Sequence, residues 1–363
     1  MNKYSLSDIT WVSIETTNIC NMVCDYCPKS LDELNHRKTG IDIFPKETYI
    51  KVIDFISSNL PNLNYVALTV FNEFFQTPEL TTFYIPELQK RGIPYSILSN
   101  GSIKPKNIEY YAEYPPKYLV IGLQTITEKQ DLLNNRLDSQ TWDEYIHKVG
   151  SMIKFFYEKC PSTVISIEIA INKTNNLLHV VNDNSAIKNI PSSNEQLSHL
   201  PSLIETLSKL TKIKFSLGRI KNGRYDSQEI VASSNDNQII FGLKQFNDIN
   251  DFYSNIPLKH DPVCYTDSIT FNSKGFAQMC CIDYKNSTNF ADANIEDMSD
   301  IFEKYLSHVD TMRSSGSPFS SCRNCMGFKN EYDKLFNIKK NYYPRLLKKI
   351  PVLRRFREYI STI

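Results

Sequence analysis

The fold is organised around residues 14–28, which read IETTNICNMVCDYCP. This stretch places Cys20, Cys24 and Cys27 at a C-x3-C-x2-C spacing, directly after an apolar, strand-like run. Three closely spaced thiolates on one loop can hold three corners of a cubane [4Fe–4S] cluster, because such clusters are ligated by cysteine sulfur. A structural cluster or a zinc site needs a fourth ligand, and the closest candidate is His36, nine residues beyond Cys27. The spacing therefore predicts an iron open to a small molecule, with zinc or scattered free thiols as the alternative.

Composition and charge set the broad class of the protein. A chain of 363 residues is long enough for one large domain and a smaller one. The net charge of +1 gives no global attraction to nucleic acid. The sequence has no apolar run of about 18 residues that would predict a spanning helix, and residues 1–8 lack a signal-peptide core. Nine cysteines without an export signal favour metal ligands or free thiols over disulfides, so we expect a cytoplasmic protein.

Strands and helices are predicted to alternate through the first 225 residues. The predicted strands are 10–15, 65–71, 95–98, 118–123, 164–171 and 213–217. The predicted helices cover 45–60, 81–91, 142–160 and 197–210, and the second is predicted to kink at Pro86. The polar residues 172–194 are predicted to form a loop. Six such units predict a parallel sheet curved like part of a TIM barrel, with ligands at the carboxyl ends of the strands. The cysteine loop follows the first strand and lies at that edge.

The cysteine spacing, with the aromatic Tyr26 just before the third cysteine, resembles that of the radical S-adenosylmethionine (radical SAM) superfamily. The resemblance implies that the open iron chelates the amino and carboxylate groups of SAM. It also implies that the reduced cluster cleaves SAM to methionine and a 5′-deoxyadenosyl radical, which takes a hydrogen atom from the substrate. The fold implied is an α/β, partial (β/α)6 TIM-like barrel.

Further motifs extend the resemblance past the cysteines. Asn72 and Glu73 stand after the second strand, where the family has an acidic residue that receives the SAM amino group; the usual Gly-Gly is absent. After the third strand, Ser99 and Asn100 precede a glycine and resemble the polar turn that lines the SAM pocket. Taken alone, the first motif could be an acid in a loop before a helix, and the second only a turn.

Two further positions carry polar side chains in the later strands. Gln124 and Thr125 occupy the place of a ribose-facing pair in the family. Glu168 interrupts an otherwise apolar strand, and it either faces solvent or lies inside the barrel near the substrate. The resemblance thus assigns Tyr26, Asn72, Glu73, Ser99, Asn100 and Gln124 to cofactor binding, and leaves catalytic residues unassigned.

The remaining chain is predicted to form a second module. Residues 1–225 are interpreted as the barrel, 226–258 as a connecting segment, 259–330 as a small cysteine-rich α+β module and 331–363 as a basic tail. The tail mixes bulky apolar and basic residues. It is interpreted as a solvated helix, with a peripheral contact to anionic lipid as the alternative.

Four cysteines of the second module have the spacing of one more metal centre. They are Cys264, Cys280, Cys322 and Cys325, and on spacing alone zinc and iron–sulfur are equally good interpretations. Residues 269–283 are predicted to form a hairpin with its turn at 272–275, and they resemble the auxiliary-cluster domain called SPASM, or its shorter form, Twitch. The resemblance implies one auxiliary [4Fe–4S] cluster. Cys281 is a spare cysteine, and Cys160 is predicted to be a core residue.

The resemblance implies an oxidoreductase that receives electrons from a flavodoxin- or ferredoxin-type donor. Its auxiliary cluster would accept an electron from the substrate, for instance in oxidation of a carbinol to a ketone. Two substrate classes compete: a small sugar-like molecule and a ribosomally synthesised peptide. The first predicted strand begins near residue 10 and leaves no room for an N-terminal peptide-binding domain, which favours the small molecule. A non-catalytic metal-binding protein is the remaining alternative.

Overall fold

The part of the chain that the structure describes folds around one 11-stranded sheet. The computed structural model describes residues 3–22, 24, 27, 36–77, 79–123, 126–127, 140–171, 191–221, 228–245, 267–281, 283–315, 319 and 322. The strands are β1 Trp11–Ile14, β2 Tyr65–Ala67, β3 Tyr95–Ser99, β4 Tyr118–Gly122, β5 Val164–Ile171, β6 Phe215–Lys221, β7 Gln228–Ser234, β8 Ile239–Gln245, β9 Ser268–Phe271, β10 Phe276–Gln278 and β11 Asn289–Asp292. Their order in the sheet is β11-β10-β9-β1-β2-β3-β4-β5-β8-β7-β6.

The central part of the sheet is parallel. The run β9, β1, β2, β3, β4, β5 and β8 contains only parallel pairs, while β10 and β11 at one end and β7 and β6 at the other are antiparallel. The predicted α/β class with a mostly parallel sheet is confirmed. All five loops that follow β1 to β5 leave the sheet at one edge, since parallel strands end on the same side.

The prediction that residues 213–217 form the sixth parallel strand beside β5 is wrong. β6 pairs antiparallel with β7, and β8 takes the place next to β5. The chain makes an antiparallel meander, β6-β7-β8, with a tight turn at Asn237, whose φ is +57°. Leu217 is 54% exposed, which fits an outer strand better than the interior of a parallel sheet. Part of the predicted connecting segment 226–258 therefore consists of two strands of the sheet.

Seven helices complete the described structure. They are α1 His36–Thr39, α2 Lys46–Asn59, α3 Ile85–Lys90, α4 Tyr110–Glu113, α5 Trp142–Lys159, α6 Ser193–Thr211 and α7 Met298–Ser315. Pro45, predicted as the first residue of the helix, is the N-cap of α2; the buried face of α2 includes Tyr49, Val52 and Ile53, as predicted. Thr141 and Glu144 form a capping box that starts α5, because each side chain accepts a hydrogen bond from the other residue's backbone N–H.

The predicted kink at Pro86 is a change of helix type. Residues Leu80–Tyr84 form a π-helical turn, and the α-helical hydrogen-bonding pattern begins at Ile85. A proline has no backbone N–H to donate and its ring crowds the preceding turn, so a wider turn in front of it relieves both problems.

In β5, core residues and polar residues lie on opposite faces of the sheet. In β5, Ile165, Ile167 and Ile169 are fully buried on the face that belongs to the core, and α5 and α6 both contact this strand. Ser166 and Glu168 alternate with them and therefore lie on the opposite face. Among the described residues, no helix combines the length and apolar character needed to cross a membrane.

The predicted hairpin of the second module is present. β9 and β10 pair antiparallel, and the turn between them closes with a hydrogen bond from the Gly275 N–H to the Asn272 carbonyl oxygen, at 2.8 Å. Gly275 has φ +89°, and a Cβ there would lie 2.7 Å from the Asn294 side chain, so only glycine fits. Because β9 pairs parallel with β1, the hairpin extends the same sheet.

Candidate active site

Three loops meet at the carboxyl edge of the sheet, after β1, β2 and β3. The loop after β2 begins where Val70 donates its N–H to the Asn72 side-chain oxygen, at 3.0 Å, which turns the chain out of the strand and makes β2 shorter than predicted. The Asn72 amide also lies 3.5 Å from the Thr16 hydroxyl, which joins this loop to the loop after β1. Asn72 is thus a structural link between two strand ends.

Glu73 is a buried carboxylate at the centre of these loops. It is 1% exposed and accepts three hydrogen bonds, from the Ser99 hydroxyl at 2.8 Å, the Asn100 backbone N–H at 2.8 Å and the Phe75 backbone N–H at 3.3 Å. Its own backbone N–H donates to the carbonyl oxygen of Ile19, at 2.8 Å, in the residue before the first cysteine of the loop. The structure therefore brings together Glu73, Ser99 and Asn100, which were predicted from separate motifs.

The environment of Glu73 suits a cationic ligand. Burial raises the pKa of its carboxyl to about 7, although hydrogen bonds from Asn100, Ser99 and Phe75 act in the opposite direction. No positive charge among the described residues contributes to this pKa. A buried carboxylate without a cation beside it is costly, so an ammonium group bound here would be strongly favoured.

The three cysteines of the loop influence one another electrostatically. Burial raises the pKa of the Cys20 thiol far above its usual value, and Glu73, Cys27 and Cys24 raise it further, while a hydrogen bond from the Met22 N–H lowers it. The Cys27 N–H donates to the Cys24 carbonyl oxygen at 2.8 Å, which forms a tight turn between these two residues. The Cys20 thiol thus lies near both Glu73 and the other two thiols.

The donor set fits an iron–sulfur cluster better than a closed metal site. The described residues contain no group of three or more His, Cys, Asp or Glu side chains already arranged around one point. Three thiols without a fourth protein ligand leave one iron of a cubane open, whereas a structural zinc site takes four protein ligands. Tyr26 and Gln124, both predicted to bind cofactor, lie outside the described residues.

The turn after β3 is built for close packing. Gly101 has φ +74°, and a Cβ at this position would lie 2.8 Å from a methyl carbon of Val149 on α5. Its N–H donates to the Ser99 hydroxyl at 3.1 Å, and Tyr145 donates its hydroxyl to the Asn100 carbonyl oxygen at 2.9 Å. Helix α5 therefore packs directly against the turn, a contact for which no sequence pattern provided a signal.

Glu168 lies on the inner face of the sheet, where it forms an ion pair with Lys244 of β8. Its side chain is 12% exposed, so the interpretation as a fully solvent-facing residue does not hold. Lys244 was not predicted to belong to the site, because its strand was interpreted as part of a connecting segment.

Lys244 also lies near the cysteines of the second module. The pKa of the Cys281 thiol is lowered first by a hydrogen bond with Cys280 and then by the positive charge of Lys244, against the effect of burial. Cys281 follows β10, and six strands separate β10 from β8 in the sheet order. In a flat sheet the two strands would lie about 34 Å apart, too far for such an effect. An interaction between Lys244 and Cys281 requires a curved sheet, and the partial barrel stays a prediction.

The other cysteines of the second module are only partly described. Cys322 is buried, beyond the end of α7, whereas Cys264 and Cys325 lie outside the described residues. Cys160 is fully buried at the end of α5 and its thiol donates to the Tyr111 carbonyl oxygen, as expected of a core residue.

A polar cavity of about 110 Å³ lies between the hairpin and the loops after β1 and β2. Its lining includes Asn18, Asn272, Gln278 and Asn286. The Asn272 and Gln278 amides both donate to the Asn286 side-chain oxygen, at 3.0 and 3.2 Å. Asn272, Gln278 and Asn286 satisfy one another within the second module, and the Ser273 N–H donates to the Glu15 carboxylate in the loop after β1, at 3.3 Å.

Comparison with known proteins assigns the first part of the chain. The model of the radical SAM superfamily matches residues 14–165, so this part of the chain is similar to a radical SAM domain. No curated protein matches the sequence significantly.

Several solved structures share the fold. SuiB of Streptococcus suis, bound to the precursor peptide SuiA, is 15% identical with a TM-score of 0.51, over 89% of this chain and 70% of that one. Native anSMEcpe with bound AdoMet is 12% identical with a TM-score of 0.50, over 94% and 98% of the two chains. BtrN in complex with AdoMet and 2-DOIA is 12% identical with a TM-score of 0.45, over 87% and 89%. At these identities the likeness concerns the fold alone.

Proposed function

We propose that this chain is a radical SAM enzyme whose loop cysteines Cys20, Cys24 and Cys27 hold a [4Fe–4S] cluster with one open iron. The observation that carries the proposal is the placement of a buried, uncompensated carboxylate, Glu73, against the Cys20 loop. The chemistry that such a cluster would supply when reduced is one electron for the sulfonium of SAM, whose C5′–S bond would break to give methionine and the 5′-deoxyadenosyl radical.

The chain's own residues would bind and orient SAM. Glu73 presents a carboxylate to the amino group of SAM, and the Ser99 hydroxyl and Asn100 N–H keep its two oxygens in place. An N–H of the iron-bound amino group that donates to Glu73 would lower the pKa of this carboxyl from about 7 and favour its ionised form, because a hydrogen bond to the carboxylate stabilises its charge. Gln124 and Tyr26 are proposed to contribute further contacts to the cofactor.

The experiment is to reconstitute the protein anaerobically, reduce it with dithionite and measure 5′-deoxyadenosine formed from SAM. We expect cleavage by the wild-type protein and none after replacement of Cys20, Cys24 and Cys27 by alanine. A reconstituted protein with a full complement of iron that neither binds nor cleaves SAM would contradict the proposal and favour the non-catalytic, metal-binding alternative.

We propose that Cys264, Cys280, Cys322 and Cys325 hold one auxiliary [4Fe–4S] cluster in a SPASM- or Twitch-type module. In support, the hairpin carrying Cys280 extends the sheet beside β1, so the module is continuous with the radical SAM domain. Zinc is the competing occupant because it accepts four thiolates equally well. Metal analysis of protein purified without oxygen separates them: stoichiometric zinc in this site would exclude the second cluster.

The preferred substrate is a small, sugar-like molecule that the enzyme oxidises. Polar groups on the inner face of the sheet support this choice, since Ser13, Ser96 and Ser166 lie on the same face as the Glu168–Lys244 ion pair. Hydroxyl and charged groups on a concave surface suit a ligand rich in hydroxyl or amino groups. A cytoplasmic flavodoxin or ferredoxin is proposed as the electron donor.

A peptide substrate is the second candidate. It is favoured by the likeness of the fold to SuiB, whose structure contains the precursor peptide SuiA. The two classes can be separated with deuterated candidates, because abstraction of deuterium by the radical leaves it in 5′-deoxyadenosine. Deuterium from labelled sugars or cyclitols supports the first class, and deuterium only from labelled peptides supports the second.

A further inference from the structure

A closed ring of three side-chain hydrogen bonds joins the cysteine loop to the turn after β3. The Asn100 amide donates to the Asn21 oxygen at 2.9 Å, the Asn21 amide donates to the Ser102 hydroxyl at 2.8 Å, and that hydroxyl donates to the Asn100 oxygen at 2.6 Å. Each member both donates and accepts, so the bonds strengthen one another.

The direction of the ring is determined by the backbone. The Ser102 N–H also donates to the Asn100 side-chain oxygen, at 2.9 Å, and a backbone N–H can only donate. The oxygen of the Asn100 side chain therefore faces Ser102, and its amide faces Asn21. This in turn requires Asn21 to present its oxygen to Asn100 and its amide to Ser102, which removes the usual uncertainty in asparagine orientation.

The ring and one backbone hydrogen bond hold Cys20 from both sides. Ile19, the residue before Cys20, accepts the Glu73 N–H at 2.8 Å. Asn21, the residue after it, is held by the ring to Asn100, whose own N–H donates to the Glu73 carboxylate at 2.8 Å. Both neighbours of Cys20 are thus connected to Glu73, one directly and one through Asn100.

We propose that Asn21, Asn100 and Ser102 are positioning residues that set the distance between Cys20 and Glu73. The inference rests on the proposed function, in which one SAM molecule must reach the open iron and Glu73 at the same time. The Asn100 side chain, with its oxygen and amide engaged in the ring, acts through Asn21 and Ser102; its contribution to the SAM site is the placement of the loop and of its own N–H.

The test uses the full-length, reconstituted protein and the variants Asn21→Ala, Ser102→Ala and the double variant. We expect iron and sulfide contents equal to wild type and an affinity for SAM lower by about tenfold, as expected from the loss of one or two neutral hydrogen bonds. KM for SAM should rise more than kcat falls. The double variant should be no worse than either single variant, because breaking one bond opens the ring. Asn59→Ala is the matched control, since its amide donates to the Phe55 carbonyl oxygen at the exposed end of α2.

Two further readouts separate positioning from general stability. The electron paramagnetic resonance signal of the reduced cluster should shift less on SAM addition in the ring variants than in wild type. Hydrogen exchange at the Asn100 and Ser102 amides should accelerate in Asn21→Ala even in protein without a cluster.

The outcomes distinguish this inference from the proposed function. Unchanged SAM affinity and unchanged exchange in Asn21→Ala, in a protein whose wild type binds and cleaves SAM, would overturn the ring's role and leave the proposed function standing. A wild-type protein that binds no SAM would end the proposed function, and with it the positioning role, even if the exchange data confirmed the ring. A double variant whose loss equals the sum of the two single losses would show that the three side chains act separately, and it would also overturn the inference.

Discussion

The two cysteine-rich regions of this chain solve the same problem, bringing thiols together, in different ways. Cys20, Cys24 and Cys27 lie within eight consecutive residues of one loop, whereas the four cysteines of the second region are spread from Cys264 to Cys325. The three cysteines of the first region lie in the single loop after β1. Glu73 lies beside them because the loop after β2 leaves the sheet at the same edge. The second set is divided along the sequence by the β9–β10 hairpin and by α7, so local spacing alone cannot bring it together. Spacing along the chain therefore predicts the first site far better than the second.

The largest effect is expected from removing the three cysteines of the loop after β1. Replacement of Cys20, Cys24 and Cys27 by alanine should abolish SAM cleavage and lower the iron content from about eight to about four per chain. Cys160→Ala is the control, since this thiol is buried in the core at the end of α5. Iron analysis and 5′-deoxyadenosine assays check the triple variant and the control. A triple variant that kept about eight iron per chain would contradict the prediction that these three cysteines hold a cluster.

The second largest effect is expected from removing the charge of Glu73, the buried carboxylate beside the cysteine loop. Glu73→Gln removes the charge but preserves the shape, so SAM affinity should fall by roughly ten- to hundredfold while both clusters remain. Glu205→Gln, at an exposed acid of α6 that pairs with Lys209, should change nothing. Equilibrium binding of SAM to each variant gives the answer, and wild-type affinity in Glu73→Gln would show that this carboxylate does not hold the cofactor.

The four cysteines from Cys264 to Cys325 should not be needed for SAM cleavage. Cys322→Ala is expected to remove about half of the iron and to leave reductive cleavage of SAM in place, because the loop after β1 is untouched. Cys281→Ala should leave the iron content at the wild-type level, which also identifies Cys280 as the ligand of the pair. Loss of iron in Cys281→Ala with retention in Cys280→Ala would reverse that assignment.

The smallest effect is expected from a substitution in the turn after β3, which packs on α5 and contains Gly101. Gly101→Ala should lower the free energy of unfolding by about 2–4 kcal/mol, because alanine is strained at positive φ and its Cβ would clash with Val149. Gly92→Ala shares the positive φ of +64° but has open space around the new methyl group, so it should cost only about 1 kcal/mol. Urea unfolding of both variants measures the difference, and equal losses would mean that the turn is not closely packed on α5.

Much of the local structure could be predicted from the sequence. β5 covers Val164–Ile171 as predicted, since a long apolar run bounded by polar residues favours a buried strand. α5 and the turn of the β9–β10 hairpin were also predicted, because capping and turn residues act over three or four positions. The structure places Glu73, Ser99 and Asn100 in contact with one another, and their contribution to a SAM site stays a prediction.

The sequence alone determined where thiols and carboxylates stand along the chain, and which segments can form strands that end beside them. Only the tertiary structure decided that β8, and not β6, lies next to β5, which brings Lys244 to Glu168 and to the cysteines of the second module. It also decided that Asn21, Asn100 and Ser102 close a ring. The physical reason is range: strand propensity and turn formation depend on neighbours a few residues away, whereas pairing order and hydrogen bonds across some 80 residues depend on how the whole sheet is assembled.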